Sequence, residues 1–299
     1  RRRGKPAFRG RGIMGADLFY LRPKKLDDAL KFLGDHGKET AIVAGGTDVM
    51  VNLRSGELKP KYLMDVSRLP ELKGIEIKDG GLRIGAGVTI SEIYTSPILT
   101  RLAPVLQKAS YKFASKQIRN VATIGGNVAH CSPCGDMAPP LIIHEAKVVL
   151  KNSDGERTIP IQDVPTEPYR SSIDPEEMVV CFILKPNENV FSDFQKIGRR
   201  KELAISRASM AVMAEKDVEG KIKFMRLALG SCTPTPQRST DVENLLIGKV
   251  PSETLLWEAG QMVVNKMIET SGIRSSTVYK ERAVQGLFMR TLFSLVKHE

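Results

Sequence analysis

Four cysteines, four histidines, one tryptophan and an aromatic content of 6% in 299 residues leave little room for several kinds of chemistry. Cys131, Cys134, Cys181 and Cys232 are too few and too scattered to form a disulfide framework for a chain this size, so a reducing, cytoplasmic home is expected. No uninterrupted apolar run approaches the ~20 residues that span a bilayer, which argues against membrane insertion. No apolar segment follows the basic N-terminus as a secretory signal requires, so export is not expected. The histidines are His36, His130, His144 and His298, so the region beyond residue 190 has none before its last residues. Neither GxGxxG nor GxxxxGK[ST] occurs, which removes support for an ordinary dinucleotide fold or a nucleotide hydrolase.

Acidic residues are missing from the first thirteen positions, where Arg1, Arg2, Arg3, Lys5, Arg9 and Arg11 carry +6 of the net +11. That Gly-, Pro- and Arg-rich stretch cannot build a core, so residues 1 to 13 are expected to be a disordered basic tail or added sequence, with Met14 a plausible natural start. The remaining +5 is modest, and neither a basic helix nor an aromatic stacking motif accompanies it. Nucleic-acid binding is therefore not expected.

What the chain does have is an ordinary globular balance, 41% hydrophobic and 26% charged, long enough for two modest domains. Leu26, Ala29, Leu30 and Leu33 mark one face of a short helix over Lys25 to Gly37, and Thr40 to Ala44 reads as a buried strand running into Gly45-Gly46-Thr47-Asp48. Strands follow at Tyr62 to Val66 and in a hairpin of Ile75 to Ile77 and Leu82 to Ile84 around Asp79-Gly80. Helical periodicity covers Leu102 to Ser115, with Pro104 best placed in a first turn. A second glycine turn comes at Thr123-Ile124-Gly125-Gly126-Asn127. A further hairpin, Ala146 to Leu150 and Arg157 to Ile161, precedes a strand at Met178 to Leu184. The polar Asn187-Glu188-Asn189 is the expected linker. Beyond it come strands at Phe191 to Ile197, Ser206 to Glu215 and Lys221 to Leu229, then helices at 239 to 247, 252 to 268 and 277 to 296, an α+β arrangement.

The two glycine turns are the strongest local signals. Glycine lets backbone N–H groups approach a diphosphate with no Cβ in the way, and Thr47, Thr123 and Asn127 add side-chain donors at the same points. Plain tight turns are the alternative on glycines alone. The wording around the turns is more specific. The runs Ile42-Val43-Ala44-Gly45-Gly46-Thr47-Asp48, Gln117-Ile118-Arg119-Asn120-Val121-Ala122-Thr123-Ile124-Gly125-Gly126-Asn127 and Ser132-Pro133-Cys134-Gly135-Asp136-Met137-Ala138-Pro139-Pro140 closely resemble the FAD-binding segment of the xanthine dehydrogenase and carbon monoxide dehydrogenase family. So do Phe194-Gln195-Lys196-Ile197-Gly198-Arg199-Arg200-Lys201-Glu202-Leu203-Ala204-Ile205-Ser206 and, more weakly, Ser275-Ser276-Thr277-Val278-Tyr279-Lys280. The resemblance runs from residue 17 to 296.

It implies an α+β chain in which a two-subdomain, PCMH-type FAD-binding domain at residues 14 to 186 (subdomains about 14 to 70 and 71 to 186) precedes a small C-terminal domain of antiparallel sheet and helices at 190 to 297. Carried over by position, Ile42, Val43, Ala44, Gly45, Gly46, Thr47, Asp48 and Val49 form the first loop on FAD, and Thr123, Ile124, Gly125, Gly126 and Asn127 the loop on its pyrophosphate. Phe113 falls where the family places an aromatic near the flavin and Asp136 where it places a cofactor-binding acid. Val179 or Val180, and Lys196, fall at further FAD contacts. Each has a plainer alternative: Asp136 a helix N-cap, Lys196 a solvated strand residue, Phe113 ordinary core. Cys131 and Cys134 depart from the family pattern. As a CxxC pair they are open to metal ligation, a reversible dithiol or packing beside the FAD loop, and His130 in the same loop reads as a loop contact.

The resemblance further implies an electron-transfer subunit of a molybdenum hydroxylase complex. Substrate is hydroxylated at a molybdopterin centre on a large subunit, two [2Fe–2S] clusters on a small subunit pass the electrons to this FAD, and an external acceptor takes them away. The expected assembly is a dimer of heterotrimers. The chain lacks the cysteine groupings for those clusters. The rival reading is a self-sufficient flavin oxidase or dehydrogenase, which needs a positioned acid or base beside the flavin. A C-terminal domain of roughly a hundred residues is small for a substrate domain.

Overall fold

The computed structural model describes residues 18–200, 204–273 and 277–296. The basic tail expected at residues 1 to 13 lies outside them, as do Lys201, Glu202, Leu203, Ser275 and Ser276 of the family-like runs.

The chain opens with β1 (Phe19–Leu21) and α1 (Leu26–His36), whose Leu26, Ala29, Leu30 and Leu33 are all buried. Spacings of three and four put them on one stripe, and Asp27 and Asp28 in the first turn suit the positive end of the helix. Next come β2 (Thr40–Val43), α2 (Val49–Ser55) and β3 (Tyr62–Asp65). The three strands form a parallel sheet in the order β1-β3-β2, with Phe19 and Thr40 both opposite Tyr62. β1 is too short and too isolated in sequence to carry a period of its own.

A second, antiparallel sheet follows. β4 (Ile75–Lys78) and β5 (Gly81–Gly85) are joined through Asp79 and Gly80, both at positive φ (52° and 74°), the geometry that suits a right-twisted hairpin. Helices α3 (Ile90–Thr95), α4 (Pro97–Leu102), α5 (Pro104–Lys112), α6 (Lys116–Arg119), α7 (Ile124–Ala129) and α8 (Ala138–Ile143) lead to β6 (Lys147–Lys151), β7 (Glu156–Pro160), the small hairpin β8 (Pro165–Glu167) and β9 (Arg170–Ser171), and β10 (Met178–Leu184). The order is β4-β5-β10-β6-β7. The helix expected over Leu102 to Ser115 is interrupted at its start: Ala103, at φ −153°, separates α4 from α5, and Pro104 opens α5 at the position where a missing N–H costs nothing. The second glycine pair also differs from expectation. Gly125 and Gly126 are the first turn of α7, capped by the Thr123 hydroxyl, which accepts from the Gly126 N–H at 3.1 Å.

The last sheet is β11 (Phe191–Gly198), β12 (Ser206–Lys216), β13 (Ile222–Gly230) and β14 (Gln237–Arg238) in sequence order, followed by α9 (Thr240–Leu246), α10 (Glu253–Ser271) and α11 (Thr277–Leu292). Alternation along its strands divides its side chains between two cores. Phe194, Ala211, Met213 and Ala228 join the core built on the second sheet and α3 to α8, while Met210, Val212, Ala214, Met225, Leu227 and Leu229 pack under α9 to α11. A sheet covered on both faces explains why Met210 to Ala214 reads as an unbroken apolar run. β10 plays a similar double part. Met178 and Val180 enter the core beneath α1, and Val179, Phe182 and Leu184 enter that of the second sheet. The two N-terminal sheets therefore meet along β10, and a groove opens between them.

Candidate functional site

That groove, about 300 Å³, is lined from one side by Ile42 and Ala44 at the end of β2 and by Gly45, Gly46, Thr47, Asp48 and Val49. From the other side come Phe113, Thr123, Gly125, Gly126, Asn127 and His130, with Met178 and Val179 of β10 between them. Its size lies at the lower end of ligand clefts. The two glycine segments touch. A Cβ on Gly45 would stand 2.0 Å from the Val121 carbonyl oxygen, so only glycine permits this approach. Gly46, at φ +70°, then turns the chain into α2. The Met50 N–H returns to the Gly46 carbonyl, but among the described residues no backbone carbonyl accepts from the N–H groups of Gly45, Gly46, Thr47 or Asp48. Four consecutive amides beside a groove form a donor set for phosphate oxygens. In the second segment the Gly125 N–H is taken by the Ala86 carbonyl and the Ile124 N–H by that of Val88, so fewer main-chain donors remain there.

The rest of the lining is apolar: Ile42, Val66, Leu72, Ala86, Phe113 and Ile173 face the space along with Met178 and Val179. Amide donors at one place and an apolar trough running from it suit a dinucleotide with two ring systems, and the residues present fit FAD. Phe113 follows α5 as its C-cap, half-buried, so the reading of it as ordinary core holds only for one side of the ring.

Five of the residues picked out in the sequence do not line the groove. Val43, Ile124 and Val180 belong to the same short segments but are not exposed to it. Asp136 and Lys196 instead find each other across the chain. The Lys196 ammonium donates to Asp136 Oδ2 at 2.6 Å and the Ser206 hydroxyl to Oδ1 at 2.5 Å, with both ionic side chains about nine-tenths buried. Burial raises the Asp136 pKa, against the pull of the ammonium and hydroxyl, which favour the carboxylate. Neither plain alternative describes these two. The N-cap of α8 is Met137, without a side-chain cap, and Lys196 is a buried strand residue. The pair connects to the groove by one step along the chain, since the Met137 N–H donates to Asn127 Oδ1 at 3.3 Å.

Cys131 is buried, its thiol directed at the Val128 carbonyl, and burial pushes it up to about 11, so it stays a thiol at neutral pH. His130 lies in the groove wall, its Nε2 3.7 Å from Asp48 Oδ1 and its ring edge-on to Tyr169 at 5.3 Å. Glu177 also faces the groove, clamped by Arg157 at 2.6 and 2.7 Å, which holds its carboxyl below the usual range. Val66, Leu72, Ala86, Gly87, Ile173, Glu177 and Met178 were not selected in the sequence. They come from strand ends and connections that no local pattern marks, and only their meeting at the groove reveals them.

Residues 12–185 match the model of the FAD binding domain in molybdopterin dehydrogenase, and residues 193–295 that of the CO dehydrogenase flavoprotein C-terminal domain. The chain is 31% identical over 280 residues to a putative xanthine dehydrogenase FAD-binding subunit of Escherichia coli (strain K12), covering 93% of this chain and 95% of that protein. It is 28% identical to the nicotinate dehydrogenase FAD-subunit of Eubacterium barkeri over 94% and 96% of the two chains. The structure of carbon monoxide dehydrogenase from Hydrogenophaga pseudoflava contains a chain that superimposes with a TM-score of 0.85 at 27% identity, covering 93% of this chain and 96% of that one. The chain belongs to the family of FAD-binding medium subunits of molybdenum hydroxylase-type dehydrogenases, and its cofactor is FAD.

Proposed function

We propose that this chain is the electron outlet of a multi-subunit molybdenum hydroxylase. FAD occupies the groove between the two N-terminal sheets, with the diphosphate at the amides of Gly45 to Asp48 and the apolar trough taking its rings. The observation that carries the reading is the meeting of the two glycine segments on one groove, with those four amides claimed by no backbone carbonyl among the described residues. When bound, the flavin supplies the ability to accept electrons singly and release them in pairs. The protein's part is to hold it. Gly45 and Val121 lock the two segments together, Thr123 fixes the start of α7, and Phe113, Met178 and Val179 keep water from the ring systems. Asp136 and Lys196 act on the site by fixing the connection between α7 and α8, whose Met137 N–H holds Asn127, and Val43, Ile124 and Val180 by setting the segments on either side.

Electrons reach this FAD from [2Fe–2S] clusters on a small partner subunit, after substrate oxidation at a molybdopterin centre on a large one, and leave to an external acceptor, the complex being a dimer of heterotrimers. Support comes from relatives whose names describe them as FAD or medium subunits of dehydrogenases. The four free thiols suit a cytoplasmic setting, and among the described residues no helix is long and apolar enough to cross a membrane.

The test is purification with and without the partner subunits, followed by cofactor release and visible spectroscopy. The expected result is one FAD per chain, bleached by substrate only when the partners are present. A chain that never holds FAD overturns the proposal. Bleaching by a small substrate without partners replaces it with a self-sufficient flavoenzyme.

A further inference from the structure

The charge balance of the groove is unusual for a diphosphate site. Among the described residues lining it there is no Lys or Arg, whereas Asp48 and Glu177 are both present. Glu177 is neutralised by Arg157. Asp48 is not neutralised in that way: its carboxylate meets the Thr47 hydroxyl at 3.3 Å and His130 Nε2 at 3.7 Å, the latter longer than a hydrogen bond. A diphosphate placed at the Gly45–Asp48 amides adds negative charge next to that carboxylate. Four amide dipoles and the solvent at the half-exposed Asp48 side chain offset part of this, but like charges a few ångströms apart still repel unless a cation or a strong donor stands between them.

Thr47, Thr123 and Asn127 offer neutral donors along the lining, but His130 is the one imidazole among the described lining residues and it stands beside Asp48. His130 is the C-cap of α7, directly after the second glycine segment, and its Nε2 reaches across to the first segment at Asp48. Its ring has one aromatic neighbour among the described residues, the largely exposed Tyr169. Tyr169 packs edge-on against it, and the Tyr169 N–H donates to the Cys131 carbonyl at 2.9 Å, with Tyr169 at φ +63°. A non-glycine residue in that conformation is costly and persists where its surroundings determine it.

We propose that His130 is the side-chain donor to the FAD diphosphate, and that Asp48 is the carboxylate that keeps the imidazole over the groove until the dinucleotide arrives. On binding, Nε2–H exchanges a long contact with Asp48 for a hydrogen bond to a phosphate oxygen, and remains between the two anions. The inference rests on FAD being the groove's ligand. It assigns to His130 a positioning role in cofactor binding and none in electron transfer.

The experiment titrates FAD into flavin-free protein, by fluorescence quenching, for the unaltered chain and for His130→Gln, His130→Arg and Asp48→Asn, and records the 31P spectrum of each FAD complex. A charge-assisted hydrogen bond partly open to solvent corresponds to about tenfold in affinity. His130→Gln is expected to weaken FAD by about that factor and to move a phosphorus resonance. His130→Arg is expected to restore affinity, and Asp48→Asn to tighten binding by removing the competing anion. If His130 matters only as packing against Asp48, Asp48→Asn loosens FAD as His130→Gln does and His130→Arg fails to rescue, and the inference falls. It also falls if His130→Gln binds FAD like the unaltered chain with unchanged phosphorus signals. Failure of the unaltered chain itself to bind FAD is a different result, which overturns the reading of the groove.

Discussion

Two residues show how single positions carry consequences that their type alone does not announce. Gly45 needs to be glycine because the chain at Val121 occupies the place of a Cβ, 2.0 Å away at the oxygen and 2.6 Å at the carbonyl carbon. Neither atom is the end of a flexible side chain, so Gly45→Ala can be accommodated only by parting the two segments that form the groove. The expected outcome is a purified complex holding less than about a tenth of its flavin, measured by cofactor release, because displacement of about an ångström is enough to ruin a positioned site. Gly155→Ala, where nothing lies within 4 Å of the new Cβ, is the control and should retain its FAD. His144 illustrates a buried titratable group. It is fully enclosed, its Nδ1 lies 3.2 Å from the Lys185 carbonyl, and its Nε2 has no partner among the described residues. Burial depresses its pKa to about 4 from an unfolded value near 6.5. Between those values the unfolded chain binds the extra proton and the folded chain does not, so stability falls as pH drops through the window. That linkage corresponds to about 2 kcal/mol between pH 7 and pH 5. Urea unfolding at the two pH values should show a steeper loss for the unaltered protein than for His144→Leu, and equal slopes would contradict this account.

At the scale of elements, the decisive feature is how β11 is treated. It is the edge of the last sheet, and an uncovered edge strand invites pairing with other chains. Here its outward carbonyls are claimed by basic side chains: Lys108 donates to Ser192, Lys112 to Phe194 and Arg290 to Lys196. Lys108 and Lys112 are four residues apart on α5 and so share a face, and Lys112 also donates to Gln195 Oε1 at 2.5 Å. Burial lowers the Lys112 pKa, the expected sign for an ammonium drawn out of water. The double substitution Lys108→Met and Lys112→Met leaves these carbonyls without donors at about 1–3 kcal/mol each. A lower thermal midpoint with increased light scattering is the expected outcome. One strand position further on, Lys196→Met strands the buried Asp136 carboxylate at a cost of about 3–5 kcal/mol, whereas Asp136→Asn combined with Lys196→Met should recover much of it. Denaturant midpoints of the single and double variants measure the difference. A single variant as stable as the unaltered chain would remove the pair from the account.

For the whole molecule, the sharing of cores matters more than the sequence position of any linker. Phe194, Ala211, Met213 and Ala228 of the last sheet belong to the core of the preceding helices, and the Asn187 N–H donates to the Leu102 carbonyl, so the expected linker is itself fastened down. Arg226 adds an ion pair to Glu145 at 2.6 Å across the same seam. Separately produced segments of residues 14 to 186 and 190 to 297 therefore each expose an apolar face. The expected outcome is aggregation or mutual association in size-exclusion chromatography, and two soluble, well-dispersed monomers would show that the seam contributes little.

Local elements were legible where their own periodicity decided them. The stripe of α1, the Asp79-Gly80 hairpin, β10 and the long helices α10 and α11 stand within a few residues of where pattern and turn chemistry put them. The glycine segments were legible too, because glycine is demanded where backbones approach closely. What the sequence left open depended on contacts between distant residues. Asp136 reads equally well as a cap or a ligand until the fold brings Lys196 and Ser206 to it over separations of 60 and 70 residues. β1, β8, β9 and β14 have two or three residues each, too few to show a period, and exist because partners are supplied by the fold. Glu177, Ile173 and Met178 face the groove only because β10 runs between two sheets. Sequence alone settled the class of cofactor and picked out the two glycine segments that meet at the groove, since those depend on backbone freedom and short-range pattern. The groove's walls, its charge balance and the buried pair behind it were decided by tertiary structure, because burial and electrostatic environment are properties of what surrounds a residue.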